Sequence, residues 1–426
     1  MKQSSKHRHS GDRRASRRHF LASVGSGAIA LAGSAKAAPR ALANDRVRFG
    51  MIGVGSLGTA HLGTLLGMPD VEVVAVADPD ARHVERARSR SSRIDGYRDF
   101  RDLLNRSDLD AVMVVTPDHW HALASIRAME AGLDVYCEKP LTLTVAEGRE
   151  VADTAKRLGA VFQTGTQQRS SKQFRQAAEL VRNGKLGKLE RVHVSLGQGP
   201  MRPRAQLKNE AKPSELDWDL WLGPAPAVPY MVERCHYEFR WFFDYSGGKM
   251  TDWGAHHLDI VQWALGATSS GPVQVVAKGV FPENNIFETP VDFDVDYVYP
   301  NGVTVHVTGG GENGITFFGT EGRLFVSRSR IDAEPKDILG IDRDDLSIRL
   351  EVSPGHHRNF LDCIRSRRAP IADAENGHRS ATVCHLGNIA MRLGRSLRWD
   401  PVRERFLDDD AACRLLDKPR RGAWSL

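Results

Sequence analysis

Arg46-Val-Arg-Phe-Gly-Met-Ile-Gly-Val-Gly-Ser-Leu-Gly58 is the stretch that decides the fold. A run of apolar residues, Val47 to Ile52, leads into Gly53-x-Gly55-x-x-Gly58 and then into a helix-like segment. In a strand-to-helix connection of this kind, the first glycine allows a tight turn, the second lets the backbone approach a pyrophosphate, and the third lets the helix pack closely. The pyrophosphate is held by free N–H groups at the positive end of the helix. The stretch therefore predicts a dinucleotide site that includes Ser56 and Leu57.

The next strand supports this interpretation over its alternative, a glycine turn in an ordinary α/β domain. Val71 to Ala77 forms a second apolar run that ends at Asp78, twenty residues after Gly58. A carboxylate at this position accepts hydrogen bonds from the adenosine ribose and repels a 2′-phosphate. We therefore expect NAD as the cofactor in preference to NADP.

Two more strand ends are expected to reach the same crevice. The strand at 111–115 runs into Thr116-Pro117, with His121 close behind, and the strand at 134–137 ends at Glu138-Lys139-Pro140. Strands alternate with helices from Val47 to about Thr164, which predicts a doubly wound parallel sheet with its ligand beyond the carboxyl ends of the strands. Thr116, Pro117, His121, Glu138, Lys139 and, after the last strand, Gln167 are therefore candidate cofactor contacts.

The pattern changes after about Gly165, where strands outnumber helices. Asp292-Phe-Asp-Val-Asp-Tyr-Val-Tyr299 alternates polar and apolar residues at its start, which is typical of an antiparallel strand with one face in water. The Pro/Gly/Trp-rich stretch from Gly197 to Pro229 is too long for a passive turn and is predicted to be a lid or an interface arm. We assign residues 1–43 to a leader, 44–165 to a Rossmann NAD-binding domain and 166–426 to a substrate-binding and oligomerisation domain.

The leader has the features of an export signal. Residues 1–40 contain nine Lys/Arg and one acid, for a net charge of +8, so the rest of the chain carries −2 of the total +6. Arg17-Arg18 precedes a modestly apolar Ala/Gly-rich region and small-residue sites at Ala35-Lys-Ala37 and Ala41-Leu-Ala43. This pattern resembles a twin-arginine signal, and the alternative is a disordered basic tail. We expect recognition by the twin-arginine translocase, export to the periplasm, no nucleic-acid partner and no membrane span in the mature chain.

The cysteines and histidines do not indicate a metal centre. The five cysteines form no CxxC pair, and an odd, sparse set predicts free, mostly buried thiols. His356-His357 has no third ligand at metal spacing, so we predict no metal there.

The second informative stretch lies at 246–263, where two glycines precede a helix with acidic and imidazole side chains. Asp252 and His256 are four residues apart and share one helical face, and Asp259 follows at three residues from His256. An imidazole beside a carboxylate can act as a general base, although a buried His with an Asp near the helix start is the structural alternative. His257 is the rival base, but it points about 100° away on the helix.

The glycine loop, Glu138-Lys139-Pro140 and Asp252-x-Gly254-x-His256-x-x-Asp259, in this order, resemble the Gfo/Idh/MocA oxidoreductase family. The likeness covers essentially everything after the leader. It implies an N-terminal Rossmann domain and a C-terminal α/β domain with a large, mostly antiparallel open sheet that often forms the dimer or tetramer interface. It also implies that Lys139, Asp252 and His256 are catalytic.

The chemistry of alcohol oxidation agrees with that set. His256 would take the hydroxyl proton, Lys139 would stabilise the developing charge on the same oxygen, and Asp252 would orient His256 or a neighbouring hydroxyl. An aromatic cluster with an arginine suits a sugar, although core packing is at least equally expected for Phe239, Phe242 and Phe243. The candidate substrate contacts are Arg169, Tyr237, Arg240, Trp241, Asp252 and His256.

The sequence therefore predicts an exported NAD-dependent oxidoreductase that acts on a sugar or polyol hydroxyl. Two alternatives remain open. One is an NAD-dependent glycosidase or lyase that oxidises its sugar transiently, and the other is a non-enzymatic exported protein that binds a nucleotide or sugar. A homo-oligomer and a tightly held cofactor are further expectations.

Overall fold

The computed structural model describes residues 46–197, 210–422, 424 and 425, so the predicted leader lies outside the part of the chain described here. The first half alternates strands and helices in the predicted way. These elements are β1 (Val47–Ile52), α1 (Ser56–Leu66), β2 (Val71–Ala77), α2 (Ala81–Arg88), β3 (Asp95–Tyr97), α3 (Phe100–Leu104), β4 (Ala111–Val114), α4 (Asp118–Glu130), β5 (Asp134–Cys137), α5 (Val145–Leu158) and β6 (Phe162–Thr164).

Six parallel strands form one sheet in the order β3-β2-β1-β4-β5-β6, which confirms the doubly wound Rossmann arrangement. The register brings the strand ends level with one another. Ile52 of β1 pairs with Ala77 of β2 on one side and with Val114 of β4 on the other, and Val114 pairs with Cys137 of β5. The residues that follow these four strands therefore meet at one edge of the sheet.

The second half contains one further sheet and the helices that cover it. The elements are α6 (Lys172–Arg182), β7 (Leu189–Ser195), α7 (Trp218–Leu222), α8 (Lys249–Ala264), β8 (Gln274–Val280), β9 (Asp292–Val298), β10 (Thr304–Thr308), β11 (Gly314–Gly319), β12 (Gly322–Val326), β13 (Ile331–Glu334), α9 (His356–Ser366), α10 (Ala374–Leu393), β14 (Leu397–Asp400), β15 (Arg405–Phe406) and α11 (Asp410–Cys413).

The nine strands of this sheet run in the order β13-β12-β11-β7-β10-β9-β8-β14-β15. Every neighbouring pair is antiparallel except β7 and β10, so the predicted mostly antiparallel open sheet is confirmed. In β9 the alternation has the expected result: Phe293, Val295 and Tyr297 are buried, whereas Asp292 and Asp294 are exposed on the other face. The buried face packs against α6, α8 and α10.

The chain returns to the Rossmann domain after it has built the second sheet. Helix α9 inserts Phe360, Leu361 and Ile364 into the hydrophobic core beside β1 and β2, and α10 packs along α5. The Rossmann core is therefore completed by residues more than 300 positions after its first strand. Helices α9 and α10 therefore tie the C-terminal part of the chain to the Rossmann domain.

An irregular segment at 210–241, which we call the arm, reaches from the second domain onto the Rossmann domain. Its backbone pairs with the loop after β2: the N–H of Ala81 donates to the carbonyl of Glu215 at 3.1 Å, and the N–H of Asp217 donates to the carbonyl of Pro79 at 2.9 Å. The part of the predicted lid at 210–229 thus lies against the nucleotide domain, and residues 198–209 lie outside the described ranges.

None of the described helices has the length and hydropathy needed to cross a bilayer. All five cysteines are free thiols.

Candidate active site

The three glycines after β1 differ in what surrounds them. Gly53 has φ +87°, and a Cβ there would lie 2.5 Å from the carbonyl oxygen of Val115. A Cβ on Gly58 would lie 2.2 Å from the carbonyl oxygen of Gly53, whereas one on Gly55 would meet nothing nearer than a His83 ring atom at 3.7 Å. The first and third glycines are therefore required by the turn and by helix packing, and the second leaves open space in front of the backbone.

Helix α1 begins in that open space without a side-chain cap. Its N-cap residue, Gly55, provides no side-chain hydrogen bond, and its first turn contains no acidic residue. The first N–H groups of a helix lack partners within the helix and carry a partial positive charge. The residues present here thus fit the pyrophosphate of a dinucleotide.

A cavity of about 470 Å³ runs from the glycine loop to helix α8. Most of the predicted cofactor contacts line it, and the arm supplies the opposite wall. From the Rossmann side the lining includes Gly53, Gly55, Ser56, Leu57, Gly58, Asp78, Thr116, Pro117, Glu138 and Lys139, and from the second domain it includes Leu220, Trp221, His236, Tyr237, Phe239, Arg240, Ser246 and Asp252.

Asp78 lies at the end of β2, where the ribose contact is predicted. Its Oδ2 accepts the N–H of Val54 at 2.9 Å, and its Oδ1 accepts the N–H of Asp80 at 2.9 Å and lies 3.2 Å from Nδ1 of His83. These bonds fix the carboxylate at the cavity wall. The arm reaches the same place, because Nε2 of His236 lies 3.1 Å from Oδ2 of Asp80 and the His83 and His236 rings are 4.6 Å apart.

Asp80, His83 and His236 also bring three possible metal-ligand atoms within 4.8 Å of one another. The guanidinium of Arg82 already holds both carboxylate oxygens of Asp80, at 2.9 and 2.6 Å. The charge of that carboxylate is therefore compensated by an arginine, and the cluster is explained as a contact between the arm and the loop after β2.

Lys139 and Asp252 meet at the other end of the cavity. The Nζ atom of Lys139 donates to Oδ1 of Asp252 at 2.6 Å, and Nε of Arg240 lies 3.6 Å from the same oxygen. Burial by itself would raise the pKa of the Asp252 carboxyl, but the positive charges of Lys139 and Arg240 hold it below its usual value. The carboxylate is therefore ionised and shared between two cations.

His256 lies one helical turn beyond Asp252 and is 5% exposed. Its Nδ1 has no hydrogen-bond partner among the described residues, and no hydrogen bond joins it to Asp252 there. Burial, followed by the positive charges of Lys139 and Arg328, lowers the pKa of His256 well below the usual histidine value. The imidazole is thus neutral, with a free ring nitrogen, as a proton acceptor must be.

The rival base, His257, faces the nine-stranded sheet. Its Nε2 lies 2.9 Å from Oδ1 of Asn313, and its Nδ1 lies 3.3 Å from Nε2 of Gln168. Burial lowers its pKa to about 4. Both ring nitrogens are engaged away from the cavity, as the helical geometry predicts.

Five predicted site residues do not line the cavity, and His256 is one of them. Arg169 is buried in a bidentate ion pair with Asp259, with both N–O distances at 2.8 Å, so its guanidinium serves the packing of α8 and not a substrate. His121 braces two strand-end loops, with its ring nitrogens 2.7 Å from the Pro140 carbonyl oxygen and 2.9 Å from that of Thr116. Gln167 is exposed beside the last Rossmann strand, and Trp241 is buried.

The arm contributes residues that sequence reasoning did not assign to the site. The carbonyl oxygen of Trp221 accepts a hydrogen bond from Nε1 of Trp120 at 2.9 Å. Nε2 of His119 lies 3.0 Å from the same oxygen. Trp221 lines the cavity together with Leu220 and His236. The high Trp and Pro content of this stretch predicted a lid or an arm. No feature of the sequence indicated which wall of the cavity it would form.

Comparison with known proteins places these features in a family. Residues 47–166 match a model described as "Oxidoreductase family, NAD-binding Rossmann fold", and residues 171–426 match one described as "Oxidoreductase family, C-terminal alpha/beta domain". The chain is 24% identical to scyllo-inositol 2-dehydrogenase (NAD(+)) of Bacillus subtilis over 84% of its own length and 98% of that protein.

Two further similarities bear on the chemistry and on the fold. A Glycosyl hydrolase family 109 protein of Shewanella pealeana is 33% identical over 33% of this chain and 37% of its own. Among solved structures, the WlbA dehydrogenase from Bordetella pertussis in complex with NADH and UDP-GlcNAcA has a TM-score of 0.65, at 18% identity over 83% of this chain and 99% of that one. This last likeness concerns the fold alone.

Proposed function

The chain belongs to the Gfo/Idh/MocA oxidoreductase family, and on that premise we propose that it oxidises a hydroxyl group of a sugar or polyol with a tightly held NAD. The observation that carries this proposal is the meeting of Lys139 and Asp252 at the end of a cavity that begins at the glycine loop. The inositol dehydrogenases among its relatives support a polyhydroxylated substrate.

Each residue at this end of the cavity has a role in the proposed reaction. When bound, the nicotinamide supplies the hydride acceptor. Lys139 donates a hydrogen bond to the reacting oxygen and offsets the charge that develops there, while Asp252 holds the ammonium group in place. His256, whose neutral imidazole lies one turn of α8 beyond Asp252, takes the proton.

The proposed preference for NAD rests on Asp78. Its carboxylate is fixed at the cavity wall by two backbone N–H groups, so a 2′-phosphate would approach a negative charge that cannot turn away. Asp78→Asn keeps the size of the side chain and removes the charge. We expect the Kd for NADP divided by the Kd for NAD to fall about tenfold in this variant. An unchanged ratio would contradict the ribose contact.

Tight retention of the cofactor is supported by the arm. The contacts of Ala81, Asp217 and His236 close the adenosine end of the cavity with residues of the second domain. A cofactor enclosed in this way leaves only if the arm opens. The ultraviolet spectrum of the purified protein, with mass spectrometry of what denaturation releases, should show one NAD per chain, and a protein without bound nucleotide would contradict retention.

We also propose that the protein is loaded with NAD before export. This proposal rests on the twin-arginine pattern around Arg17-Arg18, because the twin-arginine pathway carries folded proteins. Replacing both arginines with lysine should leave the protein in the cytoplasm. Fractionation that still finds it in the periplasm would contradict this route.

A redox-neutral glycosidase is the second candidate function, and the similarity to Glycosyl hydrolase family 109 proteins is the observation that favours it. Such an enzyme would oxidise a sugar hydroxyl, eliminate the leaving group, add water to the double bond that results and return the hydride. Incubation of the holoprotein with free sugars and with their aryl glycosides separates the two functions. Net reduction of the bound cofactor or of a second sugar indicates the dehydrogenase, and release of the aryl alcohol without net reduction indicates the glycosidase.

A further inference from the structure

Several cations gather around Asp252, at the end of the cavity where the sugar would react. Lys139 and Arg240 both approach Oδ1 of Asp252, at 2.6 and 3.6 Å, so two cations share one carboxylate. A third cation, Arg328, adds to the field that acts on Asp252 and His256. Among the described residues, Asp252 is the only acid within ion-pair distance of Lys139 or Arg240.

The other acidic residues at this end are engaged elsewhere. Oδ2 of Asp118 accepts a hydrogen bond from the Ser246 hydroxyl at 2.5 Å, and burial raises the pKa of that carboxyl. Glu138 turns back into the Rossmann domain, where its Oε1 lies 3.1 Å from Nε2 of His61. Both carboxylates act on the charge of Lys139 through space, but neither forms an ion pair with Lys139, Arg240 or Arg328 among the described residues.

Arg328 is held beside the site by stacking and not by an ion pair. Its guanidinium lies 4.6 Å from the centre of the Trp253 ring, and its Nε donates to Oε1 of Gln168 at 3.3 Å. The amide group of Gln168 in turn lies 3.4 Å from the carbonyl oxygen of His256. Arg328 forms no ion pair with any described residue, so its charge is available to a ligand.

Arg240 has a similar arrangement on the other side of Asp252. Its guanidinium lies 4.7 Å from the rings of both Tyr237 and Phe239, and Nη1 donates to the Tyr237 carbonyl oxygen at 2.9 Å. Stacking of this kind orients an arginine without neutralising it. Its remaining N–H groups line the cavity and can bind a second anion.

We propose that the hydroxyl compound oxidised at this site is an acidic sugar, whose carboxylate or phosphate is bound by Arg240 and Arg328 beside Lys139 and Asp252. This inference rests on the proposed function, and it specifies the class of substrate. An anion at this position pairs with Arg328, which has no carboxylate partner among the described residues, and with Arg240, which shares the carboxylate of Asp252 with Lys139. It also offsets the positive charge that disfavours protonation of His256, so the same group that gives specificity makes the base more effective.

The test compares matched sugars on the holoprotein. A hexose, its hexuronate and its 6-phosphate are each mixed with the protein, and reduction of the bound NAD is followed by absorbance at 340 nm. We expect kcat/KM for the uronate or the phosphate to exceed that of the neutral hexose by about 10- to 100-fold, the range of a charge-assisted hydrogen bond. The preferred anion identifies whether a carboxylate or a phosphate is the natural group.

Variants separate a specific contact from a general effect of charge. Arg328→Gln should lower kcat/KM for the preferred acidic sugar by about tenfold, mostly through KM, and should not lower kcat/KM for the neutral hexose, so the preference for the acidic sugar is lost. Arg330→Gln is the matched control, because Arg330 lies two residues away and is ion-paired with Glu312 at 2.9 Å. Equal rates for neutral and acidic sugars, or an equal loss in both variants, would overturn the inference.

Isothermal titration of the same sugars into the holoprotein gives a readout that does not depend on turnover. If acidic sugars bind more tightly than the hexose but no sugar reduces the NAD, the acidic-ligand inference holds and the proposed oxidation fails. If neutral sugars are oxidised as well as acidic ones, the proposed oxidation holds and this inference fails. If no sugar binds, both are wrong.

Discussion

The Nζ atom of Lys139 lies 2.6 Å from Oδ1 of Asp252, so one salt bridge joins the end of a Rossmann strand to helix α8 of the second domain. Lys139 follows β5, whose register aligns it with the glycine loop, and Asp252 lies in the first turn of α8. The two residues are 113 positions apart in the chain. In the proposed reaction, their contact sets the position of the substrate oxygen relative to the nucleotide.

The first prediction concerns the lysine of this pair. Lys139→Ala removes the hydrogen bond to the reacting oxygen and should reduce kcat by about 100-fold or more, with NAD binding changed less than about threefold. Lys156→Ala, at an exposed position on α5, is the control and should retain full activity. Stopped-flow reduction of the bound NAD provides the measurement. A Lys139 variant with near-normal kcat would exclude the proposed role.

The second prediction distinguishes the two adjacent histidines of α8. His256→Ala should abolish turnover while NAD still binds, because it removes the neutral imidazole with the unpartnered Nδ1. His257→Ala should retain turnover and instead lose about 1–3 kcal/mol of unfolding free energy, since it leaves Asn313 without its partner. The opposite pattern would transfer the base role to His257.

The pH profile of the same reaction follows from the lowered pKa of His256. A general base is lost as the pH falls through its pKa, so the acidic limb of kcat/KM should lie well below pH 6.5. An acidic limb at or above pH 6.5 in the free enzyme would contradict the neutral, buried imidazole.

The third prediction tests the arm. His236→Ala removes the contact between Nε2 of His236 and Oδ2 of Asp80, which links the arm to the loop after β2. We expect NAD to dissociate about tenfold faster, as measured by the loss of nucleotide after rapid dilution. His306→Ala, on the open face of the nine-stranded sheet, is a suitable control. Equal dissociation rates in the two variants would show that this contact does not retain the cofactor.

The fourth prediction concerns acid stability and uses a histidine outside the cavity. His385 is buried on α10 with Nε2 3.0 Å from the Thr142 carbonyl oxygen, and burial lowers its pKa to about 4. Below pH 6.5 the unfolded chain binds a proton at this position and the folded chain does not, so the stability falls as the pH falls towards 4. At pH 5 the contribution of one such histidine is roughly 2 kcal/mol.

His385→Gln should therefore lose roughly 2 kcal/mol less stability than the parent protein between pH 7.5 and pH 5. Urea unfolding at the two pH values gives the comparison, and a third series at pH 8.5 is the control, since the two proteins should show the same slope above pH 7.5. An identical acid response in both proteins would mean that His385 is protonated in the folded state.

The sequence by itself determined the Rossmann half and the position of its loop. The glycine loop could be predicted because two of its requirements are local: the positive φ of Gly53 and the close approach of Gly58 to the Gly53 carbonyl involve residues within a few positions. The end of β2 at Asp78 and of β5 at Lys139 followed from apolar runs of strand length. The mostly antiparallel second sheet was predicted in the same way, together with the family resemblance.

Only the tertiary structure decided which charges face each other. Arg169 and Arg240 are both arginines near the predicted site, yet Arg169 is buried against Asp259 and Arg240 reaches Asp252 in the cavity. The partner of a charged side chain depends on how distant segments of the backbone meet, and no periodic pattern encodes that meeting. The same reason explains why a lid or interface arm was predicted for Gly197 to Pro229 but the contact of His236 with Asp80, beyond that stretch, was not. It also explains why the sequence did not show that the glycine loop lies at one end of a cavity closed by the second domain.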